Sequence, residues 1–171
     1  SEVSDSRYVA YYADNVIFVS SNSSIEGGVG FGVVSGKNTL VAYLGEGGAL
    51  SLPANYKGEN YVIGENAFSG NTSITSVEIP NSVTNIGKGA LNGCTGLTAV
   101  YISDLSAWYN VSFGDNSANP LHCAKNLYLN GELVTALNIN GTVKGDKAAI
   151  FISDNAHVKD INISETARKL F

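Results

Sequence analysis

The sequence predicts a right-handed solenoid of stacked coils, mostly β, with short helical or 3₁₀ turns between the strands. Two observations predict it. One segment recurs almost unchanged along the chain, and self-similarity at a spacing of about 20 to 50 residues is typical of repeat architectures. Glycine is also frequent, at 19 of 171 residues, against an average usage of about 7%. The excess indicates many tight turns, as closely spaced coils require.

The repeated segment runs over residues 63–79 and returns over residues 86–102, an offset of 23 (86 − 63). Side chains alternate along an extended strand, so Val77 and Ile79 are expected to point inward while their neighbours Ser76 and Glu78 point outward. One such coil buries too few apolar side chains to offset the backbone entropy lost on ordering it. The coils must therefore stack and share one apolar interior. The identical pairs are Ile63/Ile86, Gly64/Gly87, Ala67/Ala90, Gly70/Gly93, Thr72/Thr95, Thr75/Thr98, Val77/Val100 and Ile79/Ile102.

Weaker copies extend the repeat in both directions. The pattern apolar-x-x-apolar-x-apolar recurs at residues 134–139 and 158–163. A looser version begins at Leu50, at an offset of 27 from Val77 (77 − 50), and its additional length is expected in the turn at residues 56–60. The sequence therefore predicts about five rungs, centred on Leu50, Val77, Val100, Leu137 and Ile161.

These residues resemble the BspA-like leucine-rich-repeat family of bacterial cell-surface proteins. The family pattern Ile-Gly-x-x-Ala-Phe-x-x-Cys-x-x-Leu-Thr-x-Val-x-Ile-Pro-x-x-Val is matched from Ile63 to Val83, with Asn71 at the usual cysteine. The second copy keeps Cys94 but has Ser103 in place of the proline. The resemblance implies a leucine-rich-repeat solenoid in a secreted or surface-anchored protein, used in adhesion or host interaction. It brings no catalytic residues.

The predicted organisation is a single domain over residues 1–171. Alternating residues 7–20 predict a β-hairpin, and residues 29–34 and 39–44 predict two more strands. Residues 164–171 are expected to form a short C-terminal helix with Ser164 as its N-cap. The expected parts are an N-terminal β cap (1–39), repeats (40–103), an insertion of the kind found between repeats of this family (104–126), and C-terminal coils with a cap (127–171).

Charge and motif content limit the function. A net charge of −5 argues against nucleic acid, which requires a basic face, and no apolar run reaches the ~18 residues of a membrane span. The glycine-rich residues 27–37 fail the phosphate-loop pattern and predict β turns instead. His122 and Cys123 lack a second ligand cluster, so neither metal nor cofactor is expected. With no Gly-x-Ser-x-Gly elbow either, we predict that the chain is not an enzyme.

The outward strand positions are the candidate binding surface. They are small, polar and weakly acidic, with Tyr101 as the one large side chain. Trp108 has two interpretations, an aromatic binding platform or an anchor that fixes the insertion onto the solenoid, and we favour the anchor. The candidate site residues are Ser76, Glu78, Ala99, Tyr101, Asn138, Asp160 and, as an aromatic contact, Trp108.

We therefore expect a secreted or surface-displayed interaction module that binds an extracellular protein or glycan as a monomer. Two alternatives remain open: a structural spacer in a larger surface protein, and an accessory carbohydrate-binding module of an enzyme. The chain begins at Ser1 and has no methionine, so we expect its natural start and any signal peptide to lie outside it. Cys94 and Cys123 allow one disulfide at most, and free buried thiols are the simpler interpretation.

Overall fold

The fold is taken from a computed structural model, which describes residues 10–12, 16–18, 25–26, 28–139 and 160–163. The C-terminal helix predicted at residues 164–171 lies outside the described residues. The strands are β1 (Ala10–Tyr12), β2 (Val16–Phe18), β3 (Ile25–Glu26), β4 (Val29–Val34), β5 (Lys37–Tyr43), β6 (Gly48–Ser51), β7 (Tyr61–Ile63), β8 (Ile74–Glu78), β9 (Val83–Ile86), β10 (Ala99–Ile102), β11 (Ser112–Phe113), β12 (Leu127–Leu129), β13 (Glu132–Leu133), β14 (Ala136–Ile139) and β15 (Asp160–Ile163). Two short α-helices, α1 (Leu105–Tyr109) and α2 (Leu121–Ala124), flank a 3₁₀ turn at Asn116–Ala118.

Two sheets enclose one apolar core. The five-stranded sheet has the order β13-β12-β10-β8-β6, and the six-stranded sheet has the order β11-β9-β7-β5-β4-β3. Three coils each contribute one strand to each sheet, as the pairs β6/β7, β8/β9 and β10/β11, so the chain crosses between the sheets twice in each of these coils. The inward side chains of both sheets form a single cluster, in which Val100, Ile86 and Leu127 are fully covered.

The predicted stacking is confirmed by the strand register. Val77 pairs with Val100 in a parallel ladder, and Leu50 pairs with Val77 across the longer coil before it. In the six-stranded sheet, Ile63 pairs in the same way with Ile86. The branched side chains of one coil therefore cover those of the next, which makes the chain a solenoid of parallel coils.

The structure corrects the prediction of an insertion at residues 104–126. Leu127 pairs directly with Val100, and Phe113 pairs with Ile86 in the other sheet. Both offsets equal 27 (127 − 100 and 113 − 86), against 23 for the coil before (100 − 77). The segment is therefore a full coil that is longer than its predecessor, and α1 accommodates the difference. It adds a rung at Leu127 that the prediction missed.

The additional length always falls at the same corner of the coil. On the way from the five-stranded to the six-stranded sheet, the chain advances 13 residues from Leu50 to Ile63 (63 − 50). At the same corner of the next coil it advances only 9 residues, from Val77 to Ile86 (86 − 77). The return offset does not vary, being 14 both from Ile63 to Val77 (77 − 63) and from Ile86 to Val100 (100 − 86). Among the coils that the structure describes, length variation is thus confined to one of the two corners.

Between β7 and β8, and between β9 and β10, the returning corner is built from successive tight turns, whereas between β11 and β12 it contains the 3₁₀ turn and α2. Ala90 N–H donates to Gly87 O at 3.1 Å, and Cys94 N–H donates to Leu91 O at 3.2 Å. Gly93 lies in the left-handed region with φ +74°, which favours glycine. A Cβ on Gly87 would come within 2.7 Å of Glu65 N in the coil below, so this glycine allows the two backbones to approach.

The two strands predicted at residues 29–34 and 39–44 are confirmed, and they form the hairpin β4–β5 beside the first coil. The strands pair antiparallel, and β5 then pairs in parallel with β7 through Leu40 and Ile63. Because β5 belongs to both cap and stack, the boundary predicted at residue 40 falls inside a strand. The hairpin predicted at residues 7–20 is confirmed by the antiparallel pair β1–β2, in which Ala10 lies opposite Phe18.

Two further rungs form a separate two-stranded sheet. Strands β14 and β15 pair in parallel, with Leu137 opposite Ile161 and Asn138 opposite Asn162. The offset between them is 24 (161 − 137), so the pairing predicted for these two rungs is confirmed.

Candidate functional site

The outward face of the five-stranded sheet aligns one side chain from each strand. On β10 the fully buried Val100 and the buried Ile102 flank an exposed Tyr101, which is the alternation expected of a sheet with one face on the core. The strand register then extends this position into a row across the sheet. We call it the Tyr101 row, and its members are Ser51, Glu78, Tyr101, Tyr128 and Leu133.

An aromatic pair forms the centre of the row. The rings of Tyr101 and Tyr128 stack with their centroids 4.9 Å apart and their planes 20° from parallel. Leu133 lies opposite Tyr128 on the last strand, and Tyr101 and Leu133 are each 36% exposed. Cross-strand aromatic stacking fixes the rings, so the sheet presents a pre-positioned apolar and aromatic surface.

The other end of the row is polar. Ser51 Oγ donates to Glu78 Oε2 at 2.9 Å across adjacent strands, and both side chains are exposed. The bond directs the Glu78 carboxylate towards β6 and leaves an acceptor group beside the aromatic pair. The row therefore joins an aromatic surface to a single carboxylate.

The remaining predicted ladder residues lie in different surroundings. Ser76 is half-buried and pairs with Ala99, which is only 8% exposed. Ala99 was predicted to be available on the outward face, but it is buried and offers little contact area. Asp160 is exposed on β15, and Asn138 lies on β14. Strand pairing does not join these last two residues to the Tyr101 row.

Trp108 lies in the core and not on the surface. It is 3% exposed, and its ring meets that of Phe113 edge to face at 5.6 Å between centroids. It belongs to α1, whose N-cap Asp104 accepts a hydrogen bond from Ala107 N–H at 3.0 Å. This burial agrees with the anchoring interpretation, because the indole attaches the longer corner to the coil.

Sequence reasoning missed Tyr128 and Leu133. Both lie beyond residue 126, next to the segment interpreted as an insertion, so they were not aligned with Tyr101. The signal was present in Leu127-Tyr128-Leu129, which repeats the alternation of residues 100–102.

The strongly shifted titratable groups belong to the core. Burial and the nearby Cys123 raise the pKa of Cys94 to about 11, although a backbone hydrogen bond from Asn71 opposes the shift. Burial raises the pKa of Tyr109 to about 12. Cys94 and Cys123 are not joined by a disulfide, and Cys94 Sγ donates to Phe68 O at 3.2 Å. These groups pack in or against the core and are not members of the Tyr101 row.

Among the residues that the structure describes, no three His, Cys, Asp or Glu side chains cluster closely enough to hold a metal ion. No helix within the described ranges is long and apolar enough to cross a membrane.

This arrangement, parallel coils with an open β face, defines the class of leucine-rich-repeat solenoids. A family profile described as the BspA type leucine rich repeat region (6 copies) matches residues 51–133. A leucine-rich repeat protein from Bacteroides capillosus ATCC 29799 is 32% identical over 49% of this chain and 72% of that chain, with a TM-score of 0.39. The chain belongs to the BspA-type leucine-rich-repeat family.

A second solved structure is more distant. A leucine rich cell surface protein from Faecalibacterium prausnitzii A2-165 is 19% identical over 85% of this chain, with a TM-score of 0.49. This chain spans 43% of its length. None of the curated proteins matches the sequence.

Proposed function

We propose that the chain is a surface-displayed interaction module that binds an extracellular protein through the Tyr101 row. Membership of the BspA-type family supports a bacterial surface location. The observation that supports binding is the stacked pair of Tyr101 and Tyr128 beside the exposed Leu133. Exposed aromatic side chains are enriched in protein interfaces, because they offer a large contact area with few rotatable bonds.

The sheet favours binding because it holds the row rigid before contact. The strands carrying Tyr101, Tyr128 and Glu78 are paired in one ladder, so their side chains lose little further freedom when a partner docks. Ordering of interface side chains is one of the main costs of association. The carboxylate of Glu78 limits the partner's chemistry, since a hydrogen-bond donor or a cation opposite it is favoured over a second carboxylate.

Binding of the full chain to a panel of purified extracellular matrix and mucosal proteins, measured by biolayer interferometry, tests the proposal. Tyr101→Ser should weaken binding of any partner at least tenfold. Val33→Ser is the matched control, because Val33 is an exposed apolar side chain on the cap, away from the row. A partner that binds both variants equally well would contradict the proposed site.

The same panel separates the two alternatives from the proposal. A spacer would bind no protein of the panel, and substitutions in the Tyr101 row would then change nothing measurable. An accessory carbohydrate-binding module would bind on a glycan array rather than on the protein panel.

A further inference from the structure

A polar depression of about 360 Å³ lies on the six-stranded sheet, between β5, β7 and β9. It is formed by the hairpin turn of the cap, the corner before β7 and the start of β9. The side chains that give it its chemistry are Lys37, Asn38, Glu59, Asn60, Thr84 and Asn85. None of them belongs to the Tyr101 row, which lies on the other sheet.

A β-bulge brings two consecutive residues to the same depression. Tyr61 pairs with Val83 and Val62 pairs with Asn85, so the register shifts and Thr84 is the extra residue. In a regular strand, consecutive side chains point to opposite faces. The bulge changes that direction, and both Thr84 and Asn85 line the depression.

Several polar side chains at the depression have no hydrogen-bond partner among the described residues. Asn38 Nδ2 donates to Glu59 Oε2 at 3.3 Å, which holds these two side chains together. In the described part of the chain, the side chains of Asn60, Thr84 and Asn85 make no hydrogen bond to other protein groups. Two residues with amides and one with a hydroxyl, each able to donate and to accept, therefore line the same depression.

We propose that this depression binds a neutral sugar of one or two rings. Each sugar hydroxyl both donates and accepts a hydrogen bond, which matches amides and a hydroxyl better than it matches an apolar wall. Lys37 and Glu59 contribute one charge of each sign, so the site does not select phosphate or sulfate by charge. The volume falls within the range of small-molecule sites, about 300–1,000 Å³.

The affinity should be weak. Hydrogen bonds to a ligand replace those to water, so each contributes little net free energy. Tyr61, the one aromatic residue lining the depression, is buried and donates its hydroxyl to Pro53 O at 2.8 Å. No aromatic face of the lining is therefore available for a sugar ring to stack on, and we expect a Kd on the order of 1 mM.

Titration of the ¹⁵N-labelled full chain with methyl α-mannoside, methyl β-galactoside, N-acetylglucosamine and cellobiose tests the proposal. At least one sugar should give saturable amide shifts confined to β5, β7, β9 and the turns between them. The double variant Thr84→Val/Asn85→Ala should weaken that binding at least tenfold. Thr84→Val preserves the side-chain shape, and an unchanged Tm would show that the double variant is folded.

Thr72→Val is the matched control, since Thr72 is an exposed threonine on a distant turn, and it should leave the titration unchanged. Tyr101→Ser should also leave it unchanged, so failure of the sugar site and failure of the proposed protein-binding site are distinguishable. The absence of saturable shifts with all four sugars would overturn the inference. So would shifts that persist in the double variant.

Discussion

Val77 lies opposite Val100 in adjacent parallel strands, although a complete coil separates them along the chain. The contact recurs through the stack, because Val100 is itself paired with Leu127. The rungs at Val77 and Val100 therefore each have a neighbour on both sides. Removal of inward methyl groups there should affect stability far more than changes on the outward face.

Ile79→Ala should lower the free energy of unfolding by about 2–5 kcal/mol, because Ile79 is 3% exposed and its truncation leaves a cavity. Glu78→Ala, one residue away, should change it by less than about 0.5 kcal/mol, because this side chain is exposed. Urea denaturation of both variants checks the prediction. Similar losses at the two positions would show that the assignment of inward and outward faces is wrong.

Gly87→Ala should destabilise the stack by about 1–3 kcal/mol, because the added methyl would lie 2.7 Å from Glu65 N and force two coils apart. Gly36→Ala provides the comparison. Gly36 has φ +75°, but an added methyl there would meet no atom within 4 Å, so the substitution should cost only the left-handed strain of about 1 kcal/mol. Thermal unfolding of both variants would measure the difference. A smaller loss of stability for Gly87→Ala than for Gly36→Ala would argue against close packing of the coils.

Trp108→Ala should cost about 3–5 kcal/mol, because the indole is buried against Phe113. Trp108→Phe should cost much less, since it keeps an aromatic ring in the site. As Trp108 is the single tryptophan of the chain, its fluorescence reports the position of α1 directly. We expect blue-shifted emission from the native protein and weak quenching by acrylamide. Strong quenching in the folded state would contradict its burial.

Stability should fall at alkaline pH. Burial raises the pKa of Cys94 from 9.0 to about 11, so the folded state holds this proton more tightly than the unfolded state does. The stabilisation is complete below pH 9 and is lost as pH rises towards 11. Urea midpoints measured across this pH range should decline more steeply for the native sequence than for Cys94→Ala. Parallel declines for the two proteins would argue against a shifted thiol.

Thiol labelling gives an independent check on the same residue. Cys123 is half-buried and should react with iodoacetamide in the folded protein, whereas the buried Cys94 should react at the rate of unfolding. Mass spectrometry of the labelled peptides distinguishes the two. Rapid labelling of Cys94 in the native state would contradict the packing described for it.

The fold was predictable from sequence where the spacing stayed regular. The alignment of Val77 with Val100 follows from a close copy of one segment, and the longer spacing from Leu50 to Val77 could be assigned to the turn at residues 56–60. The rung at Leu127 was missed, because α1 and its surroundings replace the familiar turn residues as well as lengthening the coil. A local helix hides a repeat more effectively than a simple loop does.

The candidate site was only partly predictable. Tyr101 was identified by alternation alone, but its stacking partner Tyr128 required the correct register of the next coil. The depression on the other sheet depends on the bulge at Thr84. A register shift between strands from different coils arises from their tertiary pairing, so no pattern within one strand reveals it.

The corner that leads from the five-stranded to the six-stranded sheet is short after β8 and long after β6 and β10, whereas the opposite corner keeps one length. Additional residues can therefore be accommodated at the corners along one edge of the molecule. The corners along the other edge keep a constant length and so fix the alignment of successive coils. The linker between β8 and β9, residues 79–82, is the shorter form of this corner, and its exposed Asn81 offers an acceptor position for a grafted peptide. A peptide presented there would project from a rigid column without disturbing the pairing that holds the column together.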